Sequence, residues 1–258
     1  MPKAERLDML LALQYQLLRR IRPVDPPYMM KPTAYANKSK LALLCGHLLG
    51  DLAGKTVLDF GCGDGLEAIE LAKLGAQHVY GVDTNLGCVE IARWHAEQAH
   101  VSHAVEFFTE APQVLADLAI SLDTFEHFSE PAAILRRLHR MLNPGGALVV
   151  SFGPPWYHPF GGHLFSVFPW AHLIVSEAAL IRWREDLRED RPASFAEAGL
   201  NRMTVTRFAR LIDESAFNVE VLEVVPIRRL ARLHNRFTRE LFTSVVRCRL
   251  RKGEPPLA

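Results

Sequence analysis

The sequence predicts an α/β fold: a mostly parallel sheet of seven strands with helices on both faces. Two observations predict it. From residue 56 onward, short apolar runs alternate with stretches of helical periodicity and short loops, an order that requires right-handed βαβ crossovers. The first apolar run, Val57-Leu58-Asp59-Phe60, leads into Gly61-Cys62-Gly63-Asp64-Gly65 and then a helical pattern. A glycine loop between a strand and a helix marks the edge at which such sheets bind ligands.

The elements follow in order. Residues 4–21 carry Leu7, Leu10, Leu11, Leu17, Leu18 and Ile21 at helical spacing, until Pro23, Pro26 and Pro27 break the pattern. This helix reads as a packed cap or a dimer contact. A second helix is expected over 37–50. Strands are expected at 56–60, 78–83, 104–109, 118–123 and 146–152, with helices at 65–74, 86–99 and 130–142. Asn143-Pro144-Gly145-Gly146 turns the chain into the fifth strand. Regularity stops at Gly153, and residues 153–203 show no parallel-strand pattern. Thr204 then reads as an N-cap for a helix through Ser215. A strand at 218–226, a helix at about 228–240 and a strand at about 243–251 close the chain. The expected organisation is an N-terminal helical cap (1–50), a core (51–152), an inserted lid (153–203) and the C-terminal part of the sheet (204–258).

At 258 residues the chain can bury one sizeable core, and its net charge of +1 gives no global field for nucleic acid or an anionic surface. Charge is unevenly spread. Residues 59–130 hold thirteen acids against Lys73 and Arg93; residues 228–252 hold nine Lys/Arg against Glu240, which reads as a solvated basic stretch. Cys45, Cys62, Cys88 and Cys248 form no C-x-x-C pair, so reduced thiols and a cytoplasmic location are expected. No apolar run reaches eighteen residues, and stable membrane insertion is not expected.

The glycine loop selects a class of ligand. A dinucleotide site needs G-x-G-x-x-G facing a pyrophosphate. Here the pattern is D-x-G-x-G-x-G with no phosphate-binding lysine, and the acid at 59 would repel a phosphate and suit a cationic amine. Asp83, at the end of the next apolar run, is spaced to accept hydrogen bonds from two ribose hydroxyls.

This string, with its second acid, resembles the first motif of the class I S-adenosylmethionine-dependent methyltransferases. The element order is similar to their core, closely over 54–152 and more loosely over 204–252. The resemblance implies a Rossmann-like sheet whose last strand runs antiparallel, and S-adenosylmethionine as cofactor. It implies that Gly61, Gly63 and Gly65 shape the loop under the methionyl part. Asp59 would hold the amino group, Asp83 the ribose hydroxyls, Thr84 would lie beside the adenine and Glu110 beside the adenine amino group. Leu122 falls in Ala119–His127, which resembles the fourth motif, where backbone carbonyls meet the cofactor. Asp123, Glu126 and His127 resemble the E-x-x-E-H element of some ubiquinone-pathway O-methyltransferases, with aspartate in the first place. Their side chains have ligand chemistry, yet similar E-H pairs occur without a metal, and no metal site is assigned.

Methyl transfer to oxygen or nitrogen requires removal of the acceptor's proton, a task for a group titrating near neutrality. His127, after the fourth strand, and His158 and His163, in the loop after the fifth, are the candidate bases. His172 reads as a packed residue. The aromatics of 152–183, among them Trp156, Tyr157, Phe160, Phe165, Phe168 and Trp170, suit a lid over an apolar or aromatic small-molecule acceptor, or a core internal to that lid. Tyr28 and Tyr35 lie in a connector that could fold over the cofactor. The expected activity is small-molecule methylation, with a homodimer compatible. The rival readings are a non-catalytic cofactor-binding scaffold and an NAD-dependent oxidoreductase.

Overall fold

The computed structural model describes residues 3–21, 39–187 and 191–253. The connector tyrosines Tyr28 and Tyr35 lie outside the described residues. The sheet is built from β1 (Thr56–Phe60), β2 (His78–Val82), β3 (Val105–Phe108), β4 (Ala116–Leu122), β5 (Leu142–Phe152), β6 (Phe217–Pro226) and β7 (Thr243–Lys252). Their spatial order is β3-β2-β1-β4-β5-β7-β6. Strands β1 to β5 pair in parallel, and β7 runs antiparallel to both β5 and β6. Order reverses between β1 and β4, so their C-terminal ends open a crevice there.

The apolar runs belong in this sheet because both of its faces are covered. Successive side chains alternate between faces. Val57, Val79, Ile120 and Val149 pack on one side with Leu41, Leu44, Leu48, Ile69 and Val89. Leu58, Leu148, Val150 and Leu250 pack on the other with Leu135, Leu138 and Phe208. The first side is covered by α2 (Lys40–Leu44), α3 (Gly46–Leu49), α4 (Leu66–Lys73) and α5 (Leu86–Gln98). The second is covered by α6 (Pro131–Arg140) and α9 (Val205–Asp213). Thr204 caps α9 as expected, its hydroxyl accepting the Arg207 amide at 3.0 Å.

Helix α1 (Lys3–Ile21) lies against α8 (Glu177–Glu185), with Leu18 fully buried and Gln14 accepting hydrogen bonds from Ser176. A short helix α7 (Ala171–Ile174) precedes α8. Trp156, Phe165, Trp183 and Phe195 form a third core together with Leu18 of α1, whereas Tyr157, Phe160 and Ile174 stay exposed.

Three expectations change. The helix expected over 37–50 divides at Cys45 into α2 and α3. The helix expected over 228–240 is a 3-10 turn, Arg228–Leu233, followed by α10 (Arg239–Phe242). Asn235 interrupts it by accepting the Phe237 amide on its own side chain at 2.9 Å, a local bond that competes with helix. The turn at 143–146 lies inside β5: pairing with β4 jumps from Ala116↔Leu142 to Leu118↔Ala147, so these residues bulge from the ladder.

Candidate functional site at the C-terminal edge of the sheet

The loop after β1 takes its shape from its glycines. Gly61, Gly63 and Gly65 all adopt positive φ, a region in which a side chain is strained. Their surroundings differ. A Cβ on Gly61 would sit 2.5 Å from Thr124 Cγ2, and one on Gly65 would meet Phe107 and Ala92 below 3 Å. A Cβ on Gly63 would meet nothing within 4 Å. Gly61 and Gly65 therefore allow close packing within the protein, and Gly63 presents bare backbone to open space.

Asp83 organises this loop. One carboxylate oxygen accepts the Gly63 amide at 3.0 Å and the other the Asn85 amide at 2.9 Å. Asn85 in turn caps α5, accepting the Gly87 amide at 2.9 Å. Thr84 and Glu110 are exposed at the ends of β2 and β3, on the same edge.

Asp59 is 2% exposed and its Oδ2 has no hydrogen-bond partner. Burial, reinforced by the Glu67 carboxylate, pushes its carboxyl up to about 8, against the opposing pull of Lys40. A buried carboxylate oxygen without a donor is costly, and a cationic ligand group would relieve it. Lys40 was not singled out by the sequence reading. It lies across the crevice: its ammonium is 3.5 Å from Asp123 Oδ2 and 3.4 Å from the Leu122 carbonyl. The Leu122 carbonyl, at the end of β4, thus accepts from Lys40. Ser39 fixes the start of α2, accepting the Ala42 amide and donating to Glu70 on α4.

The histidines separate into two settings. His127 and His163 meet edge to face, ring centroids 5.3 Å apart. His127 Nδ1 donates to the Gly199 carbonyl at 2.8 Å, which leaves Nε2 as the acceptor of the neutral ring. His163 is pushed down to about 4 by burial and by His127, so it is neutral at physiological pH. His158 is instead engaged inside the 153–203 segment. Its Nδ1 accepts the Phe160 amide at 2.9 Å, and burial pushes it down to about 4. His172 is buried and donates from Nε2 to the Trp156 carbonyl at 2.6 Å, a packed residue.

Glu126 is 3% exposed, accepts the Gly153 amide at 3.1 Å and is pushed up to about 8 by burial. Glu126 therefore ties the β4 loop to the end of β5, Asp123 faces Lys40 and His127 faces Gly199. Among the described residues, no group of three or more His, Cys, Asp or Glu is placed to hold a metal ion.

A seven-stranded sheet with one antiparallel strand, a glycine loop after β1 and a carboxylate after β2 defines a nucleoside-binding α/β protein. The unpartnered Asp59 and the absence of G-x-G-x-x-G fit an amine-bearing nucleoside rather than a dinucleotide. The chain belongs to the methyltransferase-domain family, whose family model matches residues 34–224. S-adenosylmethionine is its cofactor.

Among curated proteins, it is 31% identical over 143 residues to a ubiquinone biosynthesis O-methyltransferase of Ruegeria pomeroyi, covering 49% of this chain and 56% of that protein. It is 32% identical over 176 residues to one of Neisseria meningitidis serogroup C, covering 65% of this chain and 68% of the relative. The chain spans about half the length of the first curated relatives it matches, 56% and 50%. Among solved structures, an S-adenosylmethionine-dependent methyltransferase of Mesorhizobium loti superposes with TM-score 0.56 at 19% identity, over 80% of this chain and 95% of that one. Magnesium protoporphyrin IX methyltransferase of Synechocystis, with bound S-adenosylhomocysteine, gives 0.53 at 19%, over 95% and 97%. These likenesses show the Rossmann-like methyltransferase fold.

Proposed function

We propose that the protein transfers a methyl group from S-adenosylmethionine to an oxygen of a small-molecule acceptor. The observation that carries the cofactor site is the unpartnered Oδ2 of buried Asp59, on the strand that leads into the open Gly63 backbone. In this reading Asp59 takes the methionyl amino group and Lys40, beside Leu122, meets the methionyl carboxylate. Asp83 keeps its loop bonds while accepting from the ribose hydroxyls, and Thr84 and Glu110 flank the adenine. When bound, the cofactor supplies a methyl group activated by its sulfonium, so the protein's work is alignment, desolvation and proton removal.

The base in this reading is His127. With its Nδ1 donating to the Gly199 carbonyl it offers Nε2 to an acceptor's proton, and His163, pushed down to about 4 and packed edge to face against it, holds that ring in place. His158, whose Nδ1 already accepts the Phe160 amide, contributes to the shape of the segment above the site. Oxygen is favoured over nitrogen because the relatives' names specify O-methylation. The aromatic core of 153–203 supports its reading as a lid that excludes water from an apolar or aromatic acceptor.

The test is a screen of phenols, hydroxy acids and amines with labelled S-adenosylmethionine, repeated with His127→Ala and His163→Ala. On an acceptor that turns over, loss of the base lowers kcat by about 10²–10⁴-fold, with cofactor affinity retained. Full activity in His127→Ala would refute the assignment of the base.

A further inference from the structure

The three arginines of β7 alternate with Val246, Cys248 and Leu250, a pattern that reads as a solvated face. The structure shows another arrangement. Val246, Cys248 and Leu250 pack beneath α9, while the arginines turn to the side that carries α2 and α3. Arg247 Nη1 donates to the carbonyls of Leu43 at 3.3 Å and Leu44 at 3.0 Å, the C-terminal end of α2. Arg249 Nη1 donates to the carbonyls of Leu48 and, at 3.1 Å, Leu49, the end of α3. Each guanidinium is itself fixed from β6: Arg247 by Glu223, which also meets His47 of α3 at 3.2 Å, and Arg249 by Glu220 at 2.7 Å. Arg251 shares Glu220 but donates to the Gly145 carbonyl at 2.8 Å, away from these helices.

The last carbonyls of a helix have no partner within it and carry partial negative charge, so a fixed cation is well matched to them. Two consecutive short helices are held this way, each of them too short to be stable alone. The opposite end of α2 begins with Lys40. Lys40 and Leu44 are one turn apart on a five-residue helix, separated by about 6 Å of rise. Holding the Leu43 and Leu44 carbonyls therefore holds the helix from whose first residue Lys40 reaches Leu122 and Asp123.

We propose that Arg247 and Arg249 are positioning residues for the cofactor: by clamping the C-terminal ends of α2 and α3 they hold Lys40 over the methionyl end of the site. The inference rests on the cofactor site proposed above and adds to it a pair of residues on β7, two strands from β4 in the sheet.

The experiment is isothermal titration calorimetry of the full chain with S-adenosylhomocysteine. The variants are Arg247→Gln, Arg249→Gln, Arg247→Lys, Arg251→Gln, Lys40→Met and the double variant Arg247→Gln/Lys40→Met, each checked by circular dichroism. Arg247→Gln is expected to weaken binding about tenfold, and to weaken it no further in the Lys40→Met background, the signature of residues acting through one another. Arg247→Lys is expected to restore part of the loss, and Arg251→Gln, on the same strand face, to bind like wild type. With decarboxylated S-adenosylmethionine, which lacks the group Lys40 would meet, Arg247→Gln and wild type are expected to bind alike. If Arg249→Gln does not fold, the Arg247 series carries the test alone. Unchanged affinity in folded Arg247→Gln, or losses that simply add with Lys40→Met, would overturn the inference. Failure of wild type to bind either nucleoside would instead overturn the cofactor site itself.

Discussion

Asp59→Asn separates what the buried carboxylate costs from what it does. Burial, with Glu67 close by, lifts the Asp59 carboxyl to about 8. The unfolded chain releases that proton near pH 4. Between these values the unfolded state has lost a proton the folded state retains, so stability falls as pH rises, by up to about 1.4 kcal/mol per unit. Above about 8 the penalty is complete, and below about 4 it is absent. From pH 5 to pH 8 the loss in wild type amounts to up to about 4 kcal/mol. Asparagine does not titrate, so the variant lacks this slope. Its amide carries instead a fixed cost of about 1–3 kcal/mol for an unpaired buried group. Glu126 and the depressed histidines are common to both proteins and cancel. Thermal unfolding of the cofactor-free proteins at pH 5, 6, 7 and 8 should therefore show the Tm of the variant gaining on wild type by roughly 10 °C across the range. Cofactor binding by the same variant should collapse. Melting temperatures that run parallel from pH 5 to pH 8 would refute the reasoning, since Asp59 would then be ionised in the folded protein throughout.

Two glycines of the loop should behave differently. Gly61→Ala places a Cβ 2.5 Å from Thr124 Cγ2 at φ +88° and should cost about 2–4 kcal/mol in denaturant unfolding, part of it returned by Thr124→Ser. Gly63→Ala, at φ +52° in open space, should cost only about 1–2 kcal/mol while weakening S-adenosylhomocysteine binding by more than about tenfold, because the new methyl occupies the ligand's side of the loop. Equal stability losses in the two would show that the loop contacts are not as described. Trp183→Ala removes a side chain 1% exposed from the core of 153–203 and should cost about 3–5 kcal/mol, read by chemical denaturation. If 153–203 is a lid built on that core, acceptor KM should rise more than cofactor Kd.

Most of the sheet was legible because its information is local. Apolar runs of strand length, Thr204 as a helix cap and the β1 glycine loop each declare themselves within a few residues. The neighbouring positions of Asp59 and Asp83 were legible for the same reason: they lie at the C-terminal ends of the adjacent parallel strands β1 and β2, and β-sheet geometry places such ends together. What the sequence did not disclose was long-range. Lys40 reaches Leu122, 82 residues away, and nothing near Lys40 marks it as part of a site. His127 and His163 were assigned to one edge by strand order, but their ring contact depends on how 153–203 folds back. The β7 arginines follow the alternation of a half-exposed strand, and the docking of Arg247 and Arg249 on the ends of α2 and α3 is decided by tertiary packing. At about 228–240 a helix was expected, and Asn235 interrupts it with a side-chain bond no periodicity count includes.

The most direct measurement is calorimetric titration of wild type and Asp83→Ala with S-adenosylmethionine and S-adenosylhomocysteine. Micromolar binding by wild type is expected, weakened on the order of a hundredfold or more in Asp83→Ala, which loses the anchor of the Gly63 and Asn85 amides together with the ribose acceptor. Absence of binding to both nucleosides by folded wild type would contradict the cofactor site, and equal binding by Asp83→Ala would contradict the placement of the ribose.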